Sequence, residues 1–529
     1  GSDTAIMMGL AHTLLSEDLH DEAFLANYTV GFDKVAAYLN GDADGIAKDA
    51  DWAEGLSGIS ADRLRRLARQ MAAERTLICT SVSLQRADHG EQPLWMTVTL
   101  AAMLGQIGLP GGGYGFGYGA DATIGTVDRP MRWPSFPQVK NPQDDFIPVA
   151  AVSDMLLNPG RPYAFNGETR SYPDIRLVWW AGGNPFHHHQ DLNRLRAAFQ
   201  KPETIIVNEI NWTATARHAD IVLPVASTFE RTDFGAGTQD RAIIPMPKVI
   251  EPAGEAKEEF EIYSELERRM NLGTAFSNGL SAEQWLEAMW GELRETASSH
   301  GHALPDLESF LSGDIETFPD PEPEAVFLSD FRHDPQSNAL PTPSGKIELY
   351  SETIASFCYP DCPGQATWLA PREWLGSKRA KSFPLHLISG QPETRLHSQL
   401  DNGAFSRSRK IQGREPILIH PIDAARRDIA DGDVVSVRND RGHCLAGAVV
   451  TEAVRENVVF LWTGAWYDPD FTRDDHRDNH GNPNVLSHDL RTSSLSQGPA
   501  SHSVLVEIEK FEGDLPAIKA FEPPEIMSS

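Results

Sequence analysis

Apolar and polar positions form their most informative pattern between residues 174 and 233. An apolar run from Ile175 to Trp180 ends on Gly182-Gly183, as a buried strand does where it opens into a tight loop. Leu192, Leu195, Ala198 and Phe199 then recur at helical spacing, and Thr204 to Val207 returns to a strand. A short segment at 213–219 and a third apolar run at 221–223 complete a βαβαβ unit of the doubly wound kind. Ligands of such units sit beyond the carboxyl ends of the strands.

The same reading predicts helices over 3–21 and 60–73, the second capped by Ser60, a strand over 76–84 and a helix from Pro93 to about Gly105. The stretch LPGGGYGFGYGA (109–120) follows a helix and not a strand, so it reads as a close-packed turn and not as a phosphate loop. Residues 121–173 and 300–345, rich in proline and acidic residues, are expected to be irregular. Between them lie helices at Phe260–Arg269 and Ala282–Leu293. From about residue 380, the β-branched runs LHLIS, ILIH, VVSVRN, AGAVVT and VVFLWT alternate with polar turns, which predicts an all-β barrel. The expected fold class is α/β: doubly wound α/β domains followed by a C-terminal all-β barrel, with units at 1–125, 126–375 and 376–529.

Chemistry-bearing side chains cluster at the predicted strand ends. Asn184 and His188 follow the first strand of the central unit, Asn208-Glu209 closes the second, and Glu230-Arg231 follows the third. An acidic residue there suits a ribose, and an arginine suits a phosphate. The first loop, GGNPFHHHQ, lacks the G-x-G-x-x-G fingerprint, so no nicotinamide cofactor is expected, while another purine dinucleotide fits. A second polar set, Gln85, Arg86, Asp88, His89 and Glu91, follows the 76–84 strand. In the barrel, Arg395, His397, Ser398 and Gln399 offer groups to a pyrophosphate or heterocycle, and Asn484 and Gln497 can read a base or pterin edge. Solvated loops of an ordinary sheet and barrel are the alternative reading of all these sets.

Bulk composition narrows the partners. A formal charge of −29 disfavours nucleic acid and anionic membrane surfaces and leaves small substrates. The four cysteines, Cys79, Cys358, Cys362 and Cys444, lack the C-x-x-C sets of an iron–sulfur cluster. Three successive histidines, His187 to His189, cannot share one face, so no metal site is expected among the chain's own residues. No apolar run is long enough for a membrane span.

The segments GGNPFHHHQDLNRL, NEINWTATARHADIVLP, SLQRADHGEQPLWMTVTLAAMLGQIGLPGGG, RLHSQLD and GNPNVLSHDLRTSSLSQG together resemble the dimethyl-sulfoxide-reductase family of molybdenum enzymes. Within it the likeness is to the S-oxide and N-oxide reductases, most closely the biotin-sulfoxide type, and it runs from near residue 1 to the final FEPP. The resemblance implies interleaved α/β domains and a double-psi barrel around bis(molybdopterin guanine dinucleotide) with molybdenum. Position by position it implies cofactor contacts at Val82, Ser83, Arg86, Asn184, His188, Asn208, Glu209, Arg231 and Glu259. Further contacts fall on Ser389, Gly390, Gln391, Pro392, Arg395, His397, Ser398, Gln399, Asn484, Gln497 and Gly498. Arg86 would lie nearest the metal and the oxide, as the catalytic residue. Val82 stands where relatives carry a bulkier aromatic, and Glu259 where an aspartate is expected.

The implied reaction is oxygen-atom transfer from a small sulfoxide or amine N-oxide, with electrons from a donor protein or other reductant. The family's molybdenum-ligating serine belongs to an amino-terminal region without a counterpart here, so the chain reads as the carboxyl-terminal part of such an enzyme. Two alternatives stand beside this. One is a catalytically silent dinucleotide-binding fragment completed by an N-terminal partner chain; the other is a formate-dehydrogenase-like molybdoenzyme, which needs a cysteine or selenocysteine ligand. Cytoplasm and periplasm both remain open as compartments.

Overall fold

In the computed structural model, described for residues 1–117, 133–137, 140–237, 240–318, 326–472 and 476–525, the first unit is built on helices. Asp3–Ser16, Ala50–Ser57, Ala61–Ala73 and Glu91–Met103 pack through Met8, Leu14, Leu64, Met96 and Leu100, all buried. The first helix stops at Ser16, short of the expected 21, because Asp18 turns into the left-handed region. Phe331, Ile347 and Leu349 return from far along the chain to the same core, and Thr29–Val30 pairs in parallel with Ile347–Glu348.

The glycine-rich stretch corrects the expectation of a turn alone. Gly113–Phe116 is a strand parallel to Leu77–Thr80, with Cys79 opposite Gly115. Tyr114 and Phe116 suit a pleated backbone, while Gly113, at φ +93°, lies so close to Ile107 that a Cβ would come within 3.1 Å of its Cα. Residues 118–120 of that stretch lie outside the described residues. The two stretches expected to be irregular also hold structure. The first contains the helix Val152–Leu157 and a hairpin, Pro162–Phe165 with Glu168–Ser171; the second contains the helices Leu307–Leu311 and Ser329–His333. Residues 121–132, 138–139 and 319–325 of these stretches lie outside the described residues.

The central unit forms in the predicted order, but its first strand, expected to be buried, has no buried residue, and Leu177 is exposed because it lies on an edge of the sheet. Leu177–Ala181, Thr204–Glu209 and Ile221–Pro224 make a parallel sheet in that order, connected through Leu192–Ala198 and Ala214–Arg217. Beside it, Glu259–Arg269 and Ala282–Ser299 are helical, and Trp290, Phe310 and Ile243 centre a separate small core. The C-terminal module is a closed six-stranded barrel, ordered Leu385–Ile388, Val458–Leu461, Pro416–Ile419, His443–Val450, Val434–Arg438 and Val504–Lys510. Two parallel pairs sit among antiparallel ones. Leu192, Leu195, Ile205 and Val207 of the sheet unit share one core with Ile417, Val435, Val459 and Val506 of the barrel. Sheet ends and barrel turns are therefore held in fixed relation. No helix among the described residues is long and apolar enough to cross a membrane.

Candidate functional site

The carboxyl end of the parallel sheet carries a polar recess. Asn208, buried on the middle strand, accepts from Trp179 Nε1 at 2.9 Å and donates to Glu259 Oε1 and Tyr263 Oη, each at 2.9 Å. Glu259 and Tyr263 stand one helical turn apart on one face, so the helix offers a carboxylate and a phenol together. Glu209 accepts from the Ile210 amide at 2.9 Å and Thr213 Oγ1 at 3.0 Å, and burial raises its carboxyl above the ordinary range. Arg231 pairs with Asp233. Asn184 accepts from Thr215 Oγ1, and Gly182 and Gly183 before it both take positive φ. A Cβ on Gly182 would meet nothing within 4 Å, so the loop's outer face is open.

A second group gathers from all three parts of the chain. His188 Nε2 lies 3.5 Å from Ser398 Oγ, and its ring lies edge-on to His397 at 5.2 Å. The His188 side chain is exposed, yet the protein around it pushes its pKa down to about 4; loss of solvent comes first, then His397, His189 and Arg86. His502 is also pushed down to about 4, by burial and then by Arg86, and its amide donates to the Arg86 carbonyl at 2.8 Å. Arg86 is exposed and has no carboxylate partner among the described residues. Val82 and Ser83 stand exposed on the same short helical turn, with Ser83 Oγ 2.8 Å from Ser81 Oγ.

The barrel loop supplies His397 under constraint. Gln391 accepts from the His397 amide at 3.0 Å and meets Nδ1 at 3.0 Å, while His397 holds φ +54°. Gly390 accepts from the Thr463 amide, Pro392 follows in the same turn, and Gln399 closes it through its amide on the Leu396 carbonyl. Arg395 is placed differently. Its guanidinium is committed inside the barrel wall to Asp401 at 3.2 Å, Glu415 at 3.1 Å, Ser406 Oγ and the Thr463 carbonyl, and does not reach the surface. A charge at 1% side-chain exposure needs such partners.

Asn484, also buried, donates to the His187 carbonyl at 2.9 Å and so ties the barrel tail to the GGNPFHHH loop. Gln497 donates to the Ala164 carbonyl at 2.7 Å, and the Gly498 amide donates to Thr492 Oγ1 at 3.2 Å. Gln497 also lines a cavity of about 420 Å³ with Arg161, Arg194, Arg372, Arg491 and Asp361. There Arg194 and Arg491 each bridge Asp154 and Asp489. Sequence reading missed this arginine set, along with Trp179, Tyr263 and His502. Only Tyr263 had a signal, its helical spacing from Glu259. Among the described residues no three His, Cys, Asp or Glu side chains are grouped to hold a metal ion.

Residues 1–269 match the family model described as molybdopterin oxidoreductase. The chain belongs to the molybdopterin oxidoreductase family. Residues 385–505 match the model of a molydopterin dinucleotide binding domain. Among curated relatives of this molybdopterin oxidoreductase, the dimethyl sulfoxide/trimethylamine N-oxide reductase of Cereibacter sphaeroides is 45% identical over 99% of this chain and 65% of its own length. The biotin sulfoxide reductase of the same organism is 45% identical over 97% of this chain and 68% of its own length. The chain thus spans about two thirds of the length of the curated relatives it matches. Among solved structures, acetylene hydratase from Pelobacter acetylenicus superposes with a TM-score of 0.67 at 17% identity, covering 97% of this chain and 70% of that one, which shows a shared fold.

The family's cofactor is bis(molybdopterin guanine dinucleotide) carrying molybdenum, and the residues present fit such a group. Trp180 Nε1 and Ser389 Oγ are buried without a hydrogen-bond partner at the ends of a sheet strand and a barrel strand, as donors awaiting a polar ligand are. Anchored by Asn208, whose amide protons are both taken, Glu259 and Tyr263 offer a carboxylate acceptor and a phenol donor of the kind a guanine edge requires.

Proposed function

We propose that this chain forms the cofactor-holding part of a reductase that takes the oxygen from a small sulfoxide or amine N-oxide, with electrons from a separate donor. The observation that carries the reading is Arg86, a cation without a carboxylate partner among the described residues, set beside His188 and His502, both of which stay neutral at pH 7. When bound, the cofactor supplies the two electrons and the oxygen-accepting centre. Arg86 is free to hold the oxide oxygen and to stabilise negative charge growing there, and neutral imidazoles do not repel it. Gln391 fixes the orientation of His397, which with Ser398 lines the same opening. The names of the sphaeroides relatives support this substrate class.

The test places this chain in the corresponding region of the sphaeroides biotin sulfoxide reductase. Molybdenum and guanine nucleotide content are measured together with oxidation of reduced viologen by dimethyl sulfoxide, trimethylamine N-oxide and biotin sulfoxide. Oxide-dependent turnover is expected. Arg86→Ala should lower kcat by about 10²-fold at unchanged molybdenum content. A loaded protein that no oxide reoxidises would end the proposal. Equal loss of molybdenum and turnover in Arg86→Ala would make that residue a cofactor anchor instead.

A further inference from the structure

The turn from Thr492 to Gly498 is held from outside by two carboxylates that belong to other parts of the chain. Glu91 opens the helix Glu91–Met103, and its Oε1 accepts from Thr492 Oγ1 at 2.6 Å, Ser493 Oγ at 2.7 Å and Ser496 Oγ. Asp361 Oδ2 accepts from the Ser494 amide and Ser494 Oγ, each at 2.9 Å. Glu91 has no ion-pair partner among the described residues: its Oε1 serves hydroxyls alone, and its Oε2 is buried without a hydrogen-bond partner. Cys362 sits against both carboxylates, its thiol pushed up to about 12 by burial first and then by Glu91 and Asp361.

A hydroxyl has one proton to give. With the protons of Thr492 and Ser493 committed to Glu91, their oxygens are left to accept, and both do so from the turn's own backbone. Thr492 Oγ1 takes the Gly498 amide at 3.2 Å, and Ser493 Oγ takes the Leu495 amide at 3.1 Å. Hydrogen bonds to an ionised acceptor are the stronger kind and polarise the donor. The chain of contacts therefore runs from Glu91 through two hydroxyls to the backbone on either side of Gln497, which is held at φ +57°.

We infer that Glu91 and Asp361 are positioning residues: they set the Thr492–Gly498 turn, and through it the edge that Gln497 and Gly498 present to the cofactor. This rests on the placing of the cofactor at Gln497 and Gly498. The carboxylates themselves need not touch it. Their action spans the fold, since Glu91 belongs to the first α/β unit and the turn to the barrel tail.

The 529-residue chain is prepared as wild type, Glu91→Ala, Glu91→Gln and Asp361→Asn. Deuterium exchange is followed on cofactor-free protein, and guanine nucleotide released by acid is counted on protein from a host that makes the cofactor. Glu91→Ala is expected to speed exchange across 492–498 by at least about tenfold, with the barrel strand 443–450 unchanged. Bound nucleotide should fall at least about fivefold. Glu91→Gln, which keeps an acceptor oxygen without the charge, should lie between, and Asp361→Asn should loosen 493–495 alone. Unchanged exchange in the turn would overturn the inference, as would a rise matched by the barrel strand, which would mark a general loss of stability. A wild-type chain that holds no nucleotide would instead remove the cofactor reading, and the exchange comparison would still decide what Glu91 does.

Discussion

Arg395 and Lys410 face Asp401 and Glu415 at side-chain exposures of 3% or less. Burial alone would push the Asp401 carboxyl up, but Lys410, His480 and Arg395 together bring it well below the ordinary carboxylate range. Two cations and two anions balance, and removing one leaves a net buried charge. Arg395→Met is therefore expected to lower unfolding stability by about 3–5 kcal/mol in urea at pH 7. Were its guanidinium spent on cofactor phosphates, the cofactor-free protein would be nearly unaffected. In the sequence, Arg395 looks like any arginine following a strand. One counter-ion, Asp401, lies six residues on in the same loop, but the other, Glu415, comes in with the next barrel strand, so the local sequence did not show that the guanidinium is fully spent inside the wall. Asn208 and Arg86 could be placed from the sequence at or just beyond strand ends, where the structure also has them, because a strand end fixes where its next polar side chain can be.

The elements that were legible had either length or a sustained apolar run. Unbroken apolar stretches made the βαβαβ unit stand out at 174–233, although only its middle strand holds buried positions and the two flanking strands are half-buried or exposed. The hairpin Pro162–Phe165 with Glu168–Ser171 was overlooked although Asn166-Gly167, both at positive φ, is a strong turn pair. Its strands are too short and mixed for a periodicity to show. The strand Gly113–Phe116 was hidden by its glycines, which the sequence offers equally to turns. Glycine also decides how closely the barrel turns pack. Gly464, at φ +86°, sits where a Cβ would fall 1.8 Å from the His397 carbonyl oxygen. Gly464→Ala should cost about 1–2 kcal/mol from the backbone region alone, with the clash added. It is expected to displace His397 and Ser398, read as altered emission from Trp466, whose indole donates to the Ser398 carbonyl at 2.9 Å.

Across the whole molecule, burial leaves many histidines neutral. His189, His218, His386 and His502 are each pushed down to about 4 from 6.5, with loss of solvent the first cause. Between those values the unfolded chain binds protons that the folded one refuses, so this stability is complete above about pH 6.5 and is lost as pH falls towards 4. Asp468 and Asp489, raised by burial to about 7 and about 6, act in the opposite sense but are fewer. Urea unfolding should therefore show the protein weaker at pH 5 than at pH 7.5, by on the order of 1–2 kcal/mol per histidine. Replacing His218 and His386 by glutamine should flatten that dependence, read as a slope and not as a midpoint. The core shared by the parallel sheet and the barrel reaches further still. A cut near residue 380 would leave each piece with an oily flank turned to water, and neither piece, expressed by itself, is expected to stay dissolved.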